Sequence, residues 1–278
     1  MSNIFREPCE LNDVKPLQCL LYGKPGIGKI TLALSAPNPL LIDLEDGIYR
    51  VEERFRKTQL RVVDYQNLLN VLQDRDNLQE LKKFESIVID PFGKLVMLIG
   101  DWLMKQNSSY KCADGTLTLK GWGALKVQLG ILLRSLYSLE KNLIFVCHEV
   151  EDKDNLGNKY VRPQITGSGK DIISDIDLMG YIHISKNKRV VGFSPTDEYN
   201  AKNSFGLDNV IEIPSTAKGN TFLVDNILQK INEKRINQKA LLEKYTKSID
   251  DFRRNLEFAN TPQDLDIILE NLSKKEII

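Results

Sequence analysis

The run Leu20-Leu21-Tyr22-Gly23-Lys24-Pro25-Gly26-Ile27-Gly28-Lys29-Ile30-Thr31 constrains this chain more than any other stretch. Its apolar start reads as the end of a buried strand, and three glycines within six residues let the backbone turn through conformations that side chains forbid. A helical pattern begins near Gly28 and is cut short by Pro37 and Pro39. A loop in this setting points its amides inward, where they and the positive end of the helix hold phosphate oxygens, while the Lys29 ammonium reaches the outer phosphates. A tight turn with an incidental lysine would need neither the strand before it nor the helix after it. The expected nucleotide-binding set is therefore Gly23, Lys24, Pro25, Gly26, Ile27, Gly28, Lys29, Ile30 and Thr31.

One position departs from the usual pattern. A hydroxyl normally follows the lysine and ligates Mg²⁺, and this chain has Ile30 there. Thr31 lies about 100° further round the helix and cannot substitute. Water can fill the lost place, because Mg²⁺ usually keeps several waters. Binding is expected to survive and hydrolysis to suffer.

Short β-branched and Leu-rich runs alternate with longer helical patterns, which predicts an α/β fold with a mainly parallel central sheet flanked by helices. The expected strands are residues 17–22, 40–43, 60–63, 86–90 and 143–147, with helices starting near Gly28, Tyr65, Phe92 and Trp122. Leu125, Leu129, Leu132 and Leu136 fall on one helix face and read as core. After Cys147 the pattern becomes a polar loop and then strands at 178–185, 188–194 and 210–213, with Lys186-Asn187 as a hairpin turn and antiparallel strands at the sheet edge. Residues 1–224 form the expected core and 225–278 a small helical appendage, with helix starts at Ser248/Asp251 and Thr261/Asp264.

Three strand ends carry candidate chemistry. Ser86-Ile87-Val88-Ile89-Asp90 closes in a carboxylate that can orient Mg²⁺ or its water, although a strand ending in Asp is also a common turn start. Leu41-Ile42-Asp43-Leu44-Glu45-Asp46-Gly47 ends in acids, one of which can take a proton from a water attacking a terminal phosphate; a solvated acidic turn is the other reading. Phe145-Val146-Cys147-His148 ends in one of two histidines, either sensing a phosphate at the carboxyl edge or serving structure alone.

Charge narrows the partners. The chain holds 38 Lys and Arg against 38 Asp and Glu, so any hold on nucleic acid must come from local patches. Cys9, Cys19, Cys112 and Cys147 show no zinc spacing and are expected as free thiols. No window approaches a membrane span and no leader pattern opens the chain, so a cytoplasmic location is expected.

From Lys15 to Pro214 the chain resembles the RecA-like P-loop ATPases, and among them the small phage and prophage AAA-type ATP-binding proteins that act as single-strand annealing recombinases. The resemblance rests on the order of five pieces: the Gly23–Thr31 loop, Ile42-Asp43-Leu44-Glu45, Ile87 to Asp90, Val146-Cys147-His148-Glu149, and Ser194-Pro195 through Tyr199-Asn200-Ala201-Lys202-Asn203. It implies ATP and Mg²⁺ as cofactors, Glu45 as general base, Asp90 as the magnesium-side acid, and a homo-oligomer in which Lys202 reaches the nucleotide of a neighbouring subunit. Such proteins usually carry a second cation two residues later, and here Ser204 stands there. The resemblance also implies single-stranded DNA as a partner, held by two stretches: Lys105, Tyr110, Lys111 and Lys120, then Lys153, Lys159, Tyr160, Arg162 and Lys170. In the second stretch Glu151, Asp152 and Asp154 offset much of the positive charge. Two other readings stay open: an assembly protein that uses ATP without hydrolysing it, and a P-loop enzyme with no DNA partner.

Overall fold

The computed structural model describes residues 15–154, 156–165, 167, 172–215, 219–259 and 261–264. The chain runs through β1 (Gln18–Gly23), α1 (Lys29–Ala33), β2 (Pro39–Asp43), β3 (Gln59–Arg61), α2 (Tyr65–Gln73), α3 (Arg75–Leu81) and β4 (Ser86–Asp90). It continues through α4 (Phe92–Gln106), α5 (Leu119–Tyr137), β5 (Asn142–Lys153), β6 (Lys159–Pro163), α6 (Ile172–Asp175) and β7 (Leu178–Ser185). β8 (Lys188–Gly192), β9 (Lys202–Asn203), β10 (Val210–Glu212) and α7 (Gln229–Phe258) complete it. Among the described residues the strands form one sheet in the order β10-β8-β7-β1-β5-β4-β2-β3, with β6 on β5 and β9 on β7.

The expected α/β architecture is what the structure shows. β1, β5, β4, β2, β3 and β7 are parallel, and helices flank the sheet. Parallel strands covered on both faces read as unbroken apolar runs; Cys19 to Tyr22 and Val88 to Ile89 are fully buried. The Leu125, Leu129, Leu132 and Leu136 stripe of α5 joins Leu95, Ile99 and Leu103 of α4 in the main core. β8 and β10 are antiparallel, and Lys186 and Asn187 take φ of 49° and 62°, the paired left-handed geometry of a two-residue hairpin turn.

The structure corrects four local expectations. β5 runs on to Lys153 and pairs antiparallel with β6, so most of the polar stretch expected as a loop is a hairpin. α5 starts at Leu119, because Thr118 caps it by accepting from the Gly121 amide at 3.1 Å. α3 was not expected; Asp74 both ends α2 and caps α3 through Asn77 N at 2.8 Å. Ser248 and Asp251 lie inside α7, since no glycine or proline interrupts residues 229–258, whereas Thr261 and Asp264 do exchange capping bonds.

The chain divides into a compact unit from Lys15 to Gln229 and a second that takes in α7 from Lys230. The division falls inside a continuous helical run, where composition changes too little to mark it.

Candidate functional site

Parallel pairing sets the carboxyl ends of four strands side by side. Gly23 is in register with His148 on β5, β4 lies beyond β5, and Asp90 is in register with Asp43 on β2. Every residue that sequence reasoning picked at a strand end thus falls on one edge, where open α/β sheets bind ligands.

The Gly23–Thr31 loop leaves β1 at that edge. Gly28 caps α1 with φ of 90°, and a Cβ there would meet the Arg189 guanidinium at 2.5 Å. A Cβ on Gly23 would lie 2.5 Å from the Ile182 carbonyl, so both positions require glycine. Because α1 has only five residues, its dipole is weak, and the loop amides with Lys29 carry the attraction for an anion. Lys29 is buried, and its Nζ donates to the Gly23 and Lys24 carbonyls at 2.9 and 2.8 Å. Burial lowers its pKa, against the pull of Asp90 and Glu149.

The acids divide by role. Asp43 is fully buried and accepts from the amides of Gly47 (2.8 Å), Ile48 (2.9 Å) and Glu45 (3.1 Å) and from Gln59 Nε2 (3.0 Å). It holds the turn after β2 and is saturated. Asp90 differs: its carboxylate accepts no hydrogen bond from the described residues, and burial followed by the Asp43 charge pushes its pKa up to about 7. A Cβ on Gly47 would lie 2.9 Å from Asp90 Oδ2 and 3.2 Å from Ile30 Cδ1. The Ile30 methyl and the Asp90 carboxylate therefore face the same small space. Glu45 is exposed at the rim, and its charge reaches both Asp90 and His148.

His148 is half-buried with Nδ1 unpartnered, and burial followed by the Lys29 charge lowers its pKa, which favours the neutral ring. Thr31, at the other end of the loop, gives its carbonyl to Asn220 Nδ2 at 2.6 Å.

Two groups of expected residues lie elsewhere. Lys202 pairs with Met179 near the amino end of β7, the end away from the loop, and its Nζ donates to the Ser174 carbonyl at 2.8 Å. Lys105 closes α4, Lys111 bridges Leu117 in a small hairpin, and the Lys120 ammonium sits 5.8 Å from the Tyr110 ring centre. On the β5–β6 hairpin, Lys159 pairs with Glu151 at 3.3 Å and Arg162 with Asp152 at 2.6 Å. Lys170 lies outside the described residues.

Sequence reasoning gave no site role to three residues that the structure brings to this edge. Arg50, on the turn Asp43 holds, is exposed, and its charge is felt at Lys29, Asp90 and His148. Glu149 follows His148 and leaves Oε2 buried without a partner. Arg189 touches the loop itself, donating to the Ile27 carbonyl at 3.3 Å. The acid-rich turn before Arg50 could have flagged it; nothing in Lys188-Arg189-Val190-Val191 sets Arg189 apart from an ordinary edge strand.

A glycine-rich loop between a buried strand and a helix, with lysine inside it and an unpaired aspartate two strands away, defines a nucleotide-binding domain of the P-loop class. The chain belongs to the AAA domain family, whose model matches residues 15–205, and is a nucleotide-binding protein of ATPase type. No curated protein matches the chain. Among the described residues, no helix is long and apolar enough to cross a membrane.

Proposed function

We propose that the chain binds ATP with Mg²⁺ at the Gly23–Thr31 loop, hydrolyses it slowly, and couples that cycle to single-stranded DNA. One observation carries the reading: the largely buried Asp90 carboxylate, without a hydrogen-bond donor among the described residues, stands in electrostatic reach of Lys29 at the mouth of a loop built to cradle phosphates. A carboxylate so placed gains from a cation.

The residues present fit Mg²⁺ held jointly with phosphate. No cluster of three or more His, Cys, Asp or Glu among the described residues could hold a metal alone, and Mg²⁺ commonly takes one or two carboxylates plus phosphate oxygens. Asp90 would hold it, directly or through water, and Ile30 offers no ligand. The ion's contribution is to polarise the phosphoryl oxygens. The loop amides and Lys29 orient the triphosphate, Glu45 accepts a proton from the attacking water, and neutral His148 is free to donate or accept a hydrogen bond as charge develops.

DNA binding and self-assembly would draw on residues away from the loop. Lys105, Lys111, Lys120 and Tyr110 combine cations with an aromatic face, as strand tracking requires. Lys202, at the end of β7 away from its own loop, would serve a neighbouring copy of the chain. The missing hydroxyl at position 30 also favours a second reading, in which ATP ties copies together without being cleaved. The deciding experiment measures ATP binding by calorimetry and phosphate release with and without single-stranded oligonucleotide. Binding with slow, DNA-stimulated release is the expected result. Binding and nucleotide-driven assembly without release would establish the second reading, and no ATP binding would end both.

A further inference from the structure

Arg189 stands at the amino end of β8, and the direction of that strand decides where it emerges. β8 runs antiparallel to β7, with Arg189 opposite Ile184, while β7 runs parallel to β1, with Ile182 beside Gly23. The start of β8 therefore reaches the same edge as the carboxyl ends of β1, β5 and β4. There the guanidinium bonds the Ile27 carbonyl and closes on the Cα of Gly28, the segment whose amides would hold phosphate. Its other side lines a cleft with Thr31, Leu32, Ile213, Pro214 and Asn220.

Among the described residues the charge has no counterpart. Arg189 is half-buried, burial alone lowers its pKa, and no carboxylate among the described residues pairs with it. Asp225 lines the same cleft, but its carboxylate accepts from Thr221 Oγ1 at 2.5 Å. Arginine does not shed its proton, so holding it half out of water and unpaired is a standing cost unless an anion arrives.

We propose that Arg189 is a phosphate ligand of the bound nucleotide, a second cation that works beside Lys29 from the same chain. This deepens the nucleotide-binding reading and rests on it. The arginine approaches the cradle from the β8 side, opposite Asp90, and supplies positive charge that does not depend on the metal position weakened by Ile30.

The test is calorimetry on the full chain with ATP and with inorganic tripolyphosphate, each with and without Mg²⁺. Arg189→Gln removes the charge while keeping a donor for the Ile27 carbonyl; Arg189→Lys keeps the charge and loses the fork. Arg189→Gln is expected to weaken both ligands roughly 10- to 100-fold, with Mg²⁺ or without, and Arg189→Lys to recover part of the loss. A melting temperature of the ligand-free variants that is unchanged or raised separates this from a packing defect; should Arg189→Gln not fold, a shared loss for both ligands in Arg189→Lys is the expected result. Weaker ATP binding with tripolyphosphate unaffected would overturn the proposal, because the arginine would then read the nucleoside. Unchanged affinity for both ligands, with Lys29→Ala defective, overturns it and leaves nucleotide binding standing. Failure of the unsubstituted chain to bind ATP removes both.

Discussion

In the parallel half of the sheet Gly23, Asp90 and Asp43 end β1, β4 and β2 at the ligand edge, and β5 passes His148 there, where its parallel pairing with β1 stops, before running on to Lys153. At the antiparallel edge the order reverses, and β8 delivers its beginning, with Arg189 one residue after the hairpin strand starts. The parallel half brings mainly carboxylates and amides, whereas the antiparallel edge brings Arg189, a cation with no carboxylate partner among the described residues. If Arg189 binds phosphate as proposed, a site assembled by following parallel strands to their ends is only part of the whole, and the part it omits carries positive charge.

The sharpest way to break this comparison is to remove the buried cation of the loop, Lys29. Lys29→Ala is expected to lower ATP affinity by at least about 100-fold, since a buried charge-assisted contact to phosphate is lost while the loop backbone remains. Calorimetry reads the affinity, and circular dichroism confirms the fold. Retained binding would mean that the amides and Arg189 suffice. The Lys29→Ala/Arg189→Gln double variant then measures coupling, which is non-additive if both cations hold one ligand.

The next effect belongs to Asp90 and has a pH signature. Its carboxyl is held at about 7 in the fold and at about 4 in the unfolded chain, so between those values the folded state binds the extra proton. The stability this contributes to the ligand-free protein is complete below about pH 4 and is lost as pH rises through about 7. Asp90→Asn abolishes the titration and should raise ligand-free stability at pH 8 by roughly 2–4 kcal/mol, read by urea melts at pH 5 and 8. The same raised value makes protons compete with metal: magnesium-dependent ATP binding should fall as pH drops below about 7, and Asp90→Asn should flatten that profile. A profile that persists in the variant would assign the titration to another group.

The loop was legible because several signals agreed between Leu20 and Pro37: an apolar strand, three glycines, a lysine and an abrupt helix stop at Pro37. Asp90, likewise, was visible as the polar end of an apolar run. What separated it from Asp43 was not visible, since both end buried strands; only the fold shows that three backbone amides and Gln59 saturate one and leave the other bare. The β5–β6 hairpin was hidden because its alternation is polar on both sides, with Glu151, Asp152 and Lys153 facing Lys159, Tyr160 and Val161. Arg189 was hidden for another reason: its role follows from strand direction and sheet order, and both are non-local.

Ile30→Thr sharpens the metal side of the comparison. The Ile30 methyl faces the space shared with Asp90, so a hydroxyl there can add an oxygen ligand. Phosphate release should rise roughly 10-fold, with magnesium affinity rising alongside it. Unchanged rates and metal affinity would show that the lost ligand is not what slows the reaction. Arg189→Gln should lower binding equally with and without the Ile30→Thr change if its charge acts independently of the metal.

The smallest effect compares the two basic stretches, which have similar composition and different surroundings. Lys159 and Arg162 are engaged by Glu151 and Asp152, so a DNA phosphate would have to compete with a partner already in place. Lys105, Lys111 and Lys120 form no ion pair among the described residues, and Lys120 leans on the Tyr110 ring. If single-stranded DNA is bound, replacing those three lysines by alanine should reduce the slope of log affinity against log salt by about 2, at roughly 0.7 per phosphate contact. Replacing Lys159 and Arg162 should change it by well under 1, since each removal also frees a carboxylate that repels the strand. Fluorescence anisotropy of a labelled oligonucleotide across a salt series reads both slopes. Equal slopes for the two variants would show that ion pairing on the β5–β6 hairpin does not hold those side chains back from the strand, and a slope unaffected by either would take both stretches out of the DNA path.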